Sequence, residues 1–593
     1  MTGHMQDQYD VVIMGGGPAG STLAAFLRRD AGLSVAIMER EIFPREHIGE
    51  SFAHPLVPVI QESGALEKVL ESDCWIQKYG GVYNWGPGDP SAAYFEHAAV
   101  ISDGVPRWSM HVNRAEFDHV LLNHAADCGA DVFEGVEVAT FEPAEPGDDL
   151  CTVTFKDGRS VRARFFVDAS GRQNNVAPLG ERKRRDWLSG YKNIAIWSHF
   201  LDCEFTENLP GDWNIFRDRA WSPIGCFSFT DGWIWYIPTR QLVDGERKTV
   251  HSIGIVTNPA VLEDKEKDYT DPTRFLETIR QVPLLKEMTQ RARPVREHML
   301  TATNYSRISE RFASYQQGWL AVGDASYFVD PLFSSGASFA VTQAMGAALL
   351  LRSTFDPDLS EEVKQELWHD YDTEWRGMAD TFALAIDQWY HAIGKYSPES
   401  VYWNSKGSSP DLDIREQTFQ ALLNTALVPD LLRIMTHGSG EMKDLERDGP
   451  YMRAFGSAVA DPAPDAVLTL APNVAMRETL GLDIPGFKGM ELPQPYELPD
   501  EAKAAMAKYW EDPIANSHMA PAPLSEPVPC QRFHFIDGPD RMGVRALERD
   551  GGTGLWELLN EGPVRYGELC ERLSPPQIQL VKRLVRAEMI HVS

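Results

Sequence analysis

The sequence predicts an α/β protein: a parallel sheet with covering helices, interrupted by an antiparallel sheet and followed by a mostly helical C-terminal extension. Three observations predict it. Tyr9 to Glu39 reads as strand, glycine turn, helix and second strand. Phe165–Val167 and Trp319–Val322 are short apolar runs that each end in an acidic turn, the pattern of buried parallel strands. Between them, from Asp186 to Arg293, the composition turns rich in tryptophan and in alternating strand-like runs.

Taken in order, Val11–Met14 is an apolar run bounded at once by glycines. Gly15-x-Gly17-x-x-Gly20 follows, then helix formers from Ser21 to Arg29, then a second strand from Leu33 to Met38 ending in Glu39. An acidic residue about 20 positions past the glycines completes a Rossmann-like dinucleotide fingerprint. One glycine makes the tight turn, one lets the backbone approach a diphosphate, and one lets helix pack on strand. The diphosphate sits on the helix N-terminus, where free N–H groups and the dipole favour an anion, and Glu39 is placed to bind a ribose hydroxyl.

Phe43-Pro44-Arg45 and Gly49-Glu50-Ser51 read as loop before a helix at Ile60–Leu70. Lys78 opens a β region that runs to Gly86. Arg114–Cys128 reads as an amphipathic helix with Phe117, Val120, Leu121 and Ala125 on one stripe. Strands alternate from Asp131 to Phe165, and the last ends in Asp168-Ala169-Ser170-Gly171. The expected antiparallel sheet, about residues 185–295, carries Trp187, Trp197, Trp213, Trp221, Trp233 and Trp235. Its strands are expected at Ala195–Leu201, Gly225–Ser228, Trp233–Pro238 and Thr249–Val256. Such a tryptophan cluster suits core packing at least as well as substrate contact.

Gly323-Asp324 ends the next buried strand, and Pro331–Gly336 opens a long helix, Ala337–Arg352. A second helical stretch covers 361–393, where His369, Asp370, Asp372 and Glu374 read as a solvated face and no metal site is expected. The domains expected are 1–360, a helical connection at 361–400 and an extension at 401–593. Pro485–Pro499 and Pro513–Pro529 read as wrapping segments. Residues 540–593 resemble a winged helix, with Ser574 an N-cap, Pro575 a first helical residue and an apolar stripe at Ile578, Val581, Val585 and Met589.

A net charge of -30 argues against a nucleic-acid or anionic-membrane partner. Seven scattered cysteines, without a CxxC, suit a reducing cytoplasm. No apolar run approaches the roughly 20 residues of a membrane span. The leader MTGHMQDQ lacks a signal pattern, and a cytoplasmic protein is expected.

Three separated pieces, GxGxxG with Glu39, Asp168–Gly171 and Gly323-Asp324, together resemble the FAD-dependent monooxygenase superfamily and its GR2-type fold. Within it, Lys78 in KYGGVYNWG, the complete WxWxIP motif from Trp233 to Pro238, and FSSG from Phe333 to Gly336 resemble the flavin-dependent halogenases. The resemblance covers about residues 9–390. It implies FAD, supplied reduced by a separate flavin reductase and held by Gly15, Gly17, Ala19, Gly20, Glu39, Arg40, Ser51, Arg114, Asp168, Asp324 and Gly336. It implies chloride on backbone N–H groups near Ser335 and Gly336, and O2 as co-substrate. Hypochlorous acid so formed is relayed to Lys78, while Trp233 and Trp235 wall the flavin from the substrate. Burial favours the neutral, nucleophilic amine that this role needs.

Halogenases of free tryptophan carry a glutamate where this chain has Phe333, which favours the class acting on carrier-tethered groups. The long extension resembles that of halogenases that chlorinate a carrier-bound acyl group in chloramphenicol-like antibiotic biosynthesis. A carrier-bound phenol or pyrrole is an alternative substrate, and an FAD-dependent aromatic hydroxylase an alternative activity. An isoprenoid reductase and a non-catalytic flavoprotein scaffold are further alternatives, disfavoured by WxWxIP and by the Lys78 constellation. An acyl substrate reacts as an enol or enolate, and the sequence identifies no base for that step.

Overall fold

The computed structural model describes residues 5–405 with interruptions, the longest at 95–107, 173–183 and 209–223, and then 462–481, 531–547 and 552–593, again with gaps. The first sheet is built on β1 (Gln8–Met14), which is followed by α1 (Pro18–Asp30) and β2 (Val35–Glu39). β1 pairs in parallel with β2 on one side, Met14 facing Met38. On its other side it pairs with a strand more than 140 positions later, Met14 facing Asp168.

The next stretch is irregular. A helix expected from Ile60 to Leu70 is two: α2 (Leu56–Glu62) and a short turn at Leu66–Glu71. They are parted at Gly64, whose φ of +85° a helix interior does not allow. β3 (Trp75–Lys78) and β4 (Gly80–Asn84) come next, then α3 (Arg114–Asp127), with Asn113 as its N-cap accepting from the Ala115 and Glu116 amides.

β5 (Ser160–Asp168) is the late partner of β1, and β10 (Trp319–Ala321) lies in parallel beyond it, Asp168 facing Ala321. The carboxyl ends of β2, β1, β5 and β10 therefore form one edge. Gly15, Glu39, Asp168 and Gly323-Asp324 all emerge there, which is where open α/β sheets bind ligands.

Between β5 and β10 lies the second sheet: β6 (Ile194–Leu201), β7 (Ile224–Phe229), β8 (Gly232–Val243) and β9 (Glu246–Thr257). The order is β6–β9–β8–β7–β4, antiparallel apart from the parallel β7–β4 pair. The sheet thus recruits β4 from before the expected boundary. β8 and β9 are longer than their apolar runs, because Asp244 and Gly245, both at positive φ, close a tight hairpin. Trp187, Trp213 and Trp221 lie outside the described residues.

α4 (Gly336–Thr354) packs on α1. Helical residues between 361 and 390 then lay Trp368, Tyr371, Trp375, Ala379, Phe382, Ile386 and Tyr390 into the main core at helical spacing. The charged cluster there is only partly a solvated face. His369 is exposed, but Asp372 is buried and accepts the amides of Phe312 and Ala313. Asp370 and Glu374 lie outside the described residues.

The extension holds more strand than expected. Ala475–Gly481, Gln531–Gly538 and Arg541–Leu547 form an antiparallel sheet, its first strand beside α2 and its last beside α4. Val467–Leu470 pairs with Val564–Arg565 and Ile590–Val592. This small sheet and the helices Gly552–Asn560 and Tyr566–Arg572 close a separate core around Leu468, Leu555, Leu569, Val581 and Leu584. Ile578 and Val585 pack on that same core, so the apolar stripe is covered within the module. Met589 and both proline-rich segments lie outside the described residues. Among the described residues no helix is long and apolar enough to cross a membrane.

Asp372→Ala leaves two buried amides without acceptors. It is expected to cost about 3 kcal/mol, read as a lower midpoint in urea unfolding; an unchanged midpoint would remove Asp372 as an anchor.

Candidate active site

A cavity of about 720 Å³ runs from the carboxyl edge of the first sheet to one face of the second, a size typical of small-molecule sites. Gly15, Gly17, Ala19, Glu39, Arg40, Ser51, Arg114, Trp233, Trp235, Asp324 and Gly336 line it. Gly20, Asp168, Ser335 and Lys78 are not in its wall.

The glycine turn leaves no room for side chains. Gly15 sits at φ +108°, and a Cβ there would come within 2.5 Å of the Ala169 carbonyl oxygen. A Cβ on Gly20 would lie 2.0 Å from the Gly15 carbonyl oxygen. No side chain caps α1 at Gly17, so its N-terminus opens toward the cavity. Glu39 accepts the Gly16 amide at 2.7 Å and the Glu41 amide at 2.9 Å, which pins the turn to β2. Each carboxylate oxygen keeps capacity for one more donor. Asp168 is buried and accepts the amide and hydroxyl of Ser170, so it shapes its turn from behind the wall. Burial raises the Asp324 carboxyl above its usual range, against the pull of Arg172 and Arg114.

Arg114 has a task that sequence reasoning did not assign. Its Nε and Nη2 clamp Asp118 at 2.8 and 2.9 Å, and its Nη1 donates to the Ile48 and Gly49 carbonyls. It holds the strap of residues 45–50 against α3 while lining the cavity. Arg45, on the same Asp118 at 3.3 Å, and Arg172 also line the cavity. Both were missed, since lone arginines in loops carry no spacing signal.

Lys78 ends β3 fully buried. Its Nζ donates to Ser51 Oγ at 2.9 Å and to the Phe52 carbonyl at 2.8 Å. Burial pulls its pKa down to about 7. Cys226, the neighbouring acid, is a thiol that burial pushes up to about 12, so it stays neutral. Ser334 Oγ donates to Ser51 Oγ at 3.3 Å, and Ser334 takes a φ of +58°. A chain of hydroxyls therefore joins Lys78 to the turn that starts α4. No side chain caps α4 at Ser335. Gly336 lines the cavity with the Phe328 ring close beside it: a Cβ on Gly336 would lie 2.8 Å from that ring.

The tryptophans form a row across the second sheet, and the register explains it. Trp197 on β6 faces Gly254 on β9, which faces Trp235 on β8. The Trp235 indole lies flat over Gly254: a Cβ there would come within 2.2 Å of the ring. Its Nε1 donates to Ser252 Oγ at 3.2 Å. Trp197 and Trp233 flank it, each with ring centroids 6.2 Å away. Trp233 Nε1 donates to the Tyr390 hydroxyl at 2.9 Å, which donates to Asp330 at 3.0 Å. Asp330 also accepts the Leu332 amide, tying the tryptophan to the turn before α4. Packing and cavity lining are thus both true of Trp233 and Trp235. Among the described residues no group of three His, Cys, Asp or Glu side chains is placed to hold a metal.

The profile of the tryptophan halogenase family matches residues 10–106 and 96–422. A 1H-pyrrole-2-carbonyl-[peptidyl-carrier protein] chlorinase from Pseudomonas fluorescens is 32% identical over 418 residues, 65% of this chain and 83% of that protein. A tryptophan 2-halogenase from Chondromyces crocatus is 28% identical over 446 residues, 74% of this chain and 77% of that one. Among solved structures, the myxobacterial chondrochloren halogenase CndH matches with a TM-score of 0.58 at 25% identity, over 73% of this chain and 98% of its own. The flavin-dependent halogenase CmlS shares the fold over 99% of this chain and 96% of its own, with a TM-score of 0.59 at 19% identity. The chain belongs to the tryptophan halogenase family, among the flavin-dependent halogenases.

Proposed function

We propose that this FAD-dependent halogenase chlorinates an acyl group tethered to a carrier protein, with Lys78 passing on the chlorine. The observation that carries the reading is the burial of Lys78 with its amine wired through Ser51 and Ser334 to the start of α4. The residues fit the cofactor. The uncapped start of α1 suits its diphosphate, Glu39 its adenosine ribose and Asp324 its ribityl chain. Bound and reduced, FAD supplies with O2 and chloride the equivalent of hypochlorous acid.

The protein's own residues then govern that oxidant. The uncapped N-terminus of α4 at Gly336 has the right polarity to hold chloride. The indoles of Trp197, Trp235 and Trp233 part the flavin end of the cavity from Lys78. The neutral Lys78 amine attacks chlorine of hypochlorous acid, forming an N–Cl bond and releasing water. Phe333, buried where tryptophan-type enzymes carry a glutamate, offers no acid or base at that position.

A carrier-bound pyrrole is the second reading, favoured by the relative that is 32% identical and named for that substrate. The single dinucleotide fingerprint is assigned to FAD, so reduced flavin comes from a separate reductase. The sheet of residues 475–547 beside α2 and α4 suits a role in presenting the carrier's arm.

Lys78→Ala is expected to keep FAD and to lower chlorination on the order of 100-fold or more; near wild-type chlorination would remove the lysine from the mechanism. Because the folded pKa is depressed to about 7, the free amine is present above that pH and lost below it. Chlorination should therefore fall on the acid side of about 7, and a profile flat from pH 6 to 8 would contradict the amine's role. With reduced FAD, chloride and O2, mass spectrometry should find chlorine on carrier-loaded acyl groups and not on the free acids. Equal chlorination of the free acids would argue against a carrier partner.

A further inference from the structure

One titratable pair in the cavity wall has no part in the chemistry above. Glu50 and His199 both line the cavity and are 4% and 7% exposed. Glu50 Oε1 and His199 Nε2 lie 2.6 Å apart. The other polar atom of each, Glu50 Oε2 and His199 Nδ1, is buried without a hydrogen-bond partner. Buried polar atoms are normally paired, and two orphans at one spot of a cavity wall point to a group that arrives with the ligand.

The backbone separates this pair from Lys78. The Val112 amide donates to the Glu50 carbonyl and the Phe52 amide to the Met110 carbonyl, so the strap is extended here. Successive side chains of extended backbone leave on opposite faces. Ser51 goes to Lys78, and Glu50 goes to His199. On the second sheet His199 is on β6, next to the far end of the tryptophan row, and Cys226, the neighbour of Lys78, is on β7. The sheet order places β9 and β8 between them. The pair therefore stands at the opposite end of the tryptophan row from Lys78, and is assigned to the flavin.

The chemistry there has a proton deficit. Reduced FAD, O2, chloride and one proton give FAD, hypochlorous acid and one water. The unproductive reaction, reduced FAD and O2 to FAD and hydrogen peroxide, takes up no proton. Among the cavity groups, the arginines do not release protons, Glu46 is held below the usual range by its bond to Arg296, and His47 is pulled down to about 3 by desolvation and the neighbouring Arg114, so it has no proton to give. Asp324 is raised by burial against the pull of Arg172 and Arg114, but it is the group assigned to the ribityl chain. The Glu50 carboxylate at Nε2 fixes the His199 tautomer, so Nε2 keeps its proton and Nδ1 is the atom that titrates. Burial works against the imidazolium. The charge and hydrogen bond of Glu50 outweigh it, with Arg296 opposing and Glu46 adding, and the net shift is upward.

We infer that the Glu50–His199 pair stores the proton that chloride oxidation consumes: Nδ1 of His199 releases it into the cavity, and Glu50 holds the imidazolium until then. The inference rests on the halogenase reading. The test uses the full chain as wild type, His199→Gln and Glu50→Gln, given reduced FAD, O2 and chloride. Total oxidised chlorine is trapped with taurine and hydrogen peroxide is measured in parallel, while NMR follows the His199 ring against pH in the FAD-free protein.

The expected result is that His199→Gln binds FAD as wild type does, while its ratio of oxidised chlorine to peroxide falls on the order of 100-fold. In Glu50→Gln the NMR midpoint of His199 moves down, and the alkaline limb of that ratio moves down with it. An unchanged ratio in His199→Gln, or an alkaline limb that ignores the NMR midpoint, overturns the inference. Should His199→Gln fail to fold, the Glu50→Gln comparison decides alone. A wild-type protein that makes no oxidised chlorine would strike the halogenase reading instead, a result distinct from either.

Discussion

The parallel pairing of β1 with β5 is the constraint on which the molecule depends. It joins Met14 to Asp168 across more than 150 positions of chain. β10 then adds Ala321 to the same edge. Parallel neighbours need crossover connections, and in this chain the long ones hold the residues of the candidate site. The strap and Lys78 lie in the excursion between β2 and β5. The tryptophan row lies between β5 and β10. Each returns to the edge where the glycine turn stands, so residues far apart in sequence meet around one cavity.

Inside that cavity, order comes from a few shared acceptors. Asp118 takes both Arg114 and Arg45 and so fixes the strap. Asp330 takes the Tyr390 hydroxyl, the Leu332 amide and the Asn193 amide group, and so ties Trp233 to the turn that starts α4. Ser51 joins Lys78 to Ser334. Buried carboxylates with several donors are rigid because each lost bond strands a charge in low dielectric. The site is thereby braced by residues from the strap, from the second sheet and from the helical residues up to 390.

What was legible in the sequence is what local spacing encodes. The glycine turn with Glu39, the helix Arg114–Asp127, the start of the helix at Gly336 and the strands of the tryptophan-rich sheet were all readable from period and punctuation. Lys78 could be singled out through its flanking motif, and the structure places it buried at the end of β3. What was not legible depends on pairing over distance. Glu50 looked like a loop residue, and only β6, about 150 positions later, supplies its partner His199. Asp372 read as part of a solvated helix face because its acceptor role comes from the amides of Phe312 and Ala313. The three-stranded sheet of residues 475–547 escaped because its strands lie apart in sequence, and proline-rich chain between them reads as linker.

The flat seat of Trp235 on Gly254 has a consequence for how such a pocket changes shape. The clearance between indole and backbone is less than one methyl group. The position of this part of the cavity wall is therefore set by a residue beneath it with no side chain at all. Variation that shifts or tilts the tryptophan row can begin at β9, leaving all three indoles untouched and the β8 motif intact. A single carbon added on the supporting strand would reshape this part of the cavity wall, and a comparison limited to the motif residues would record no difference.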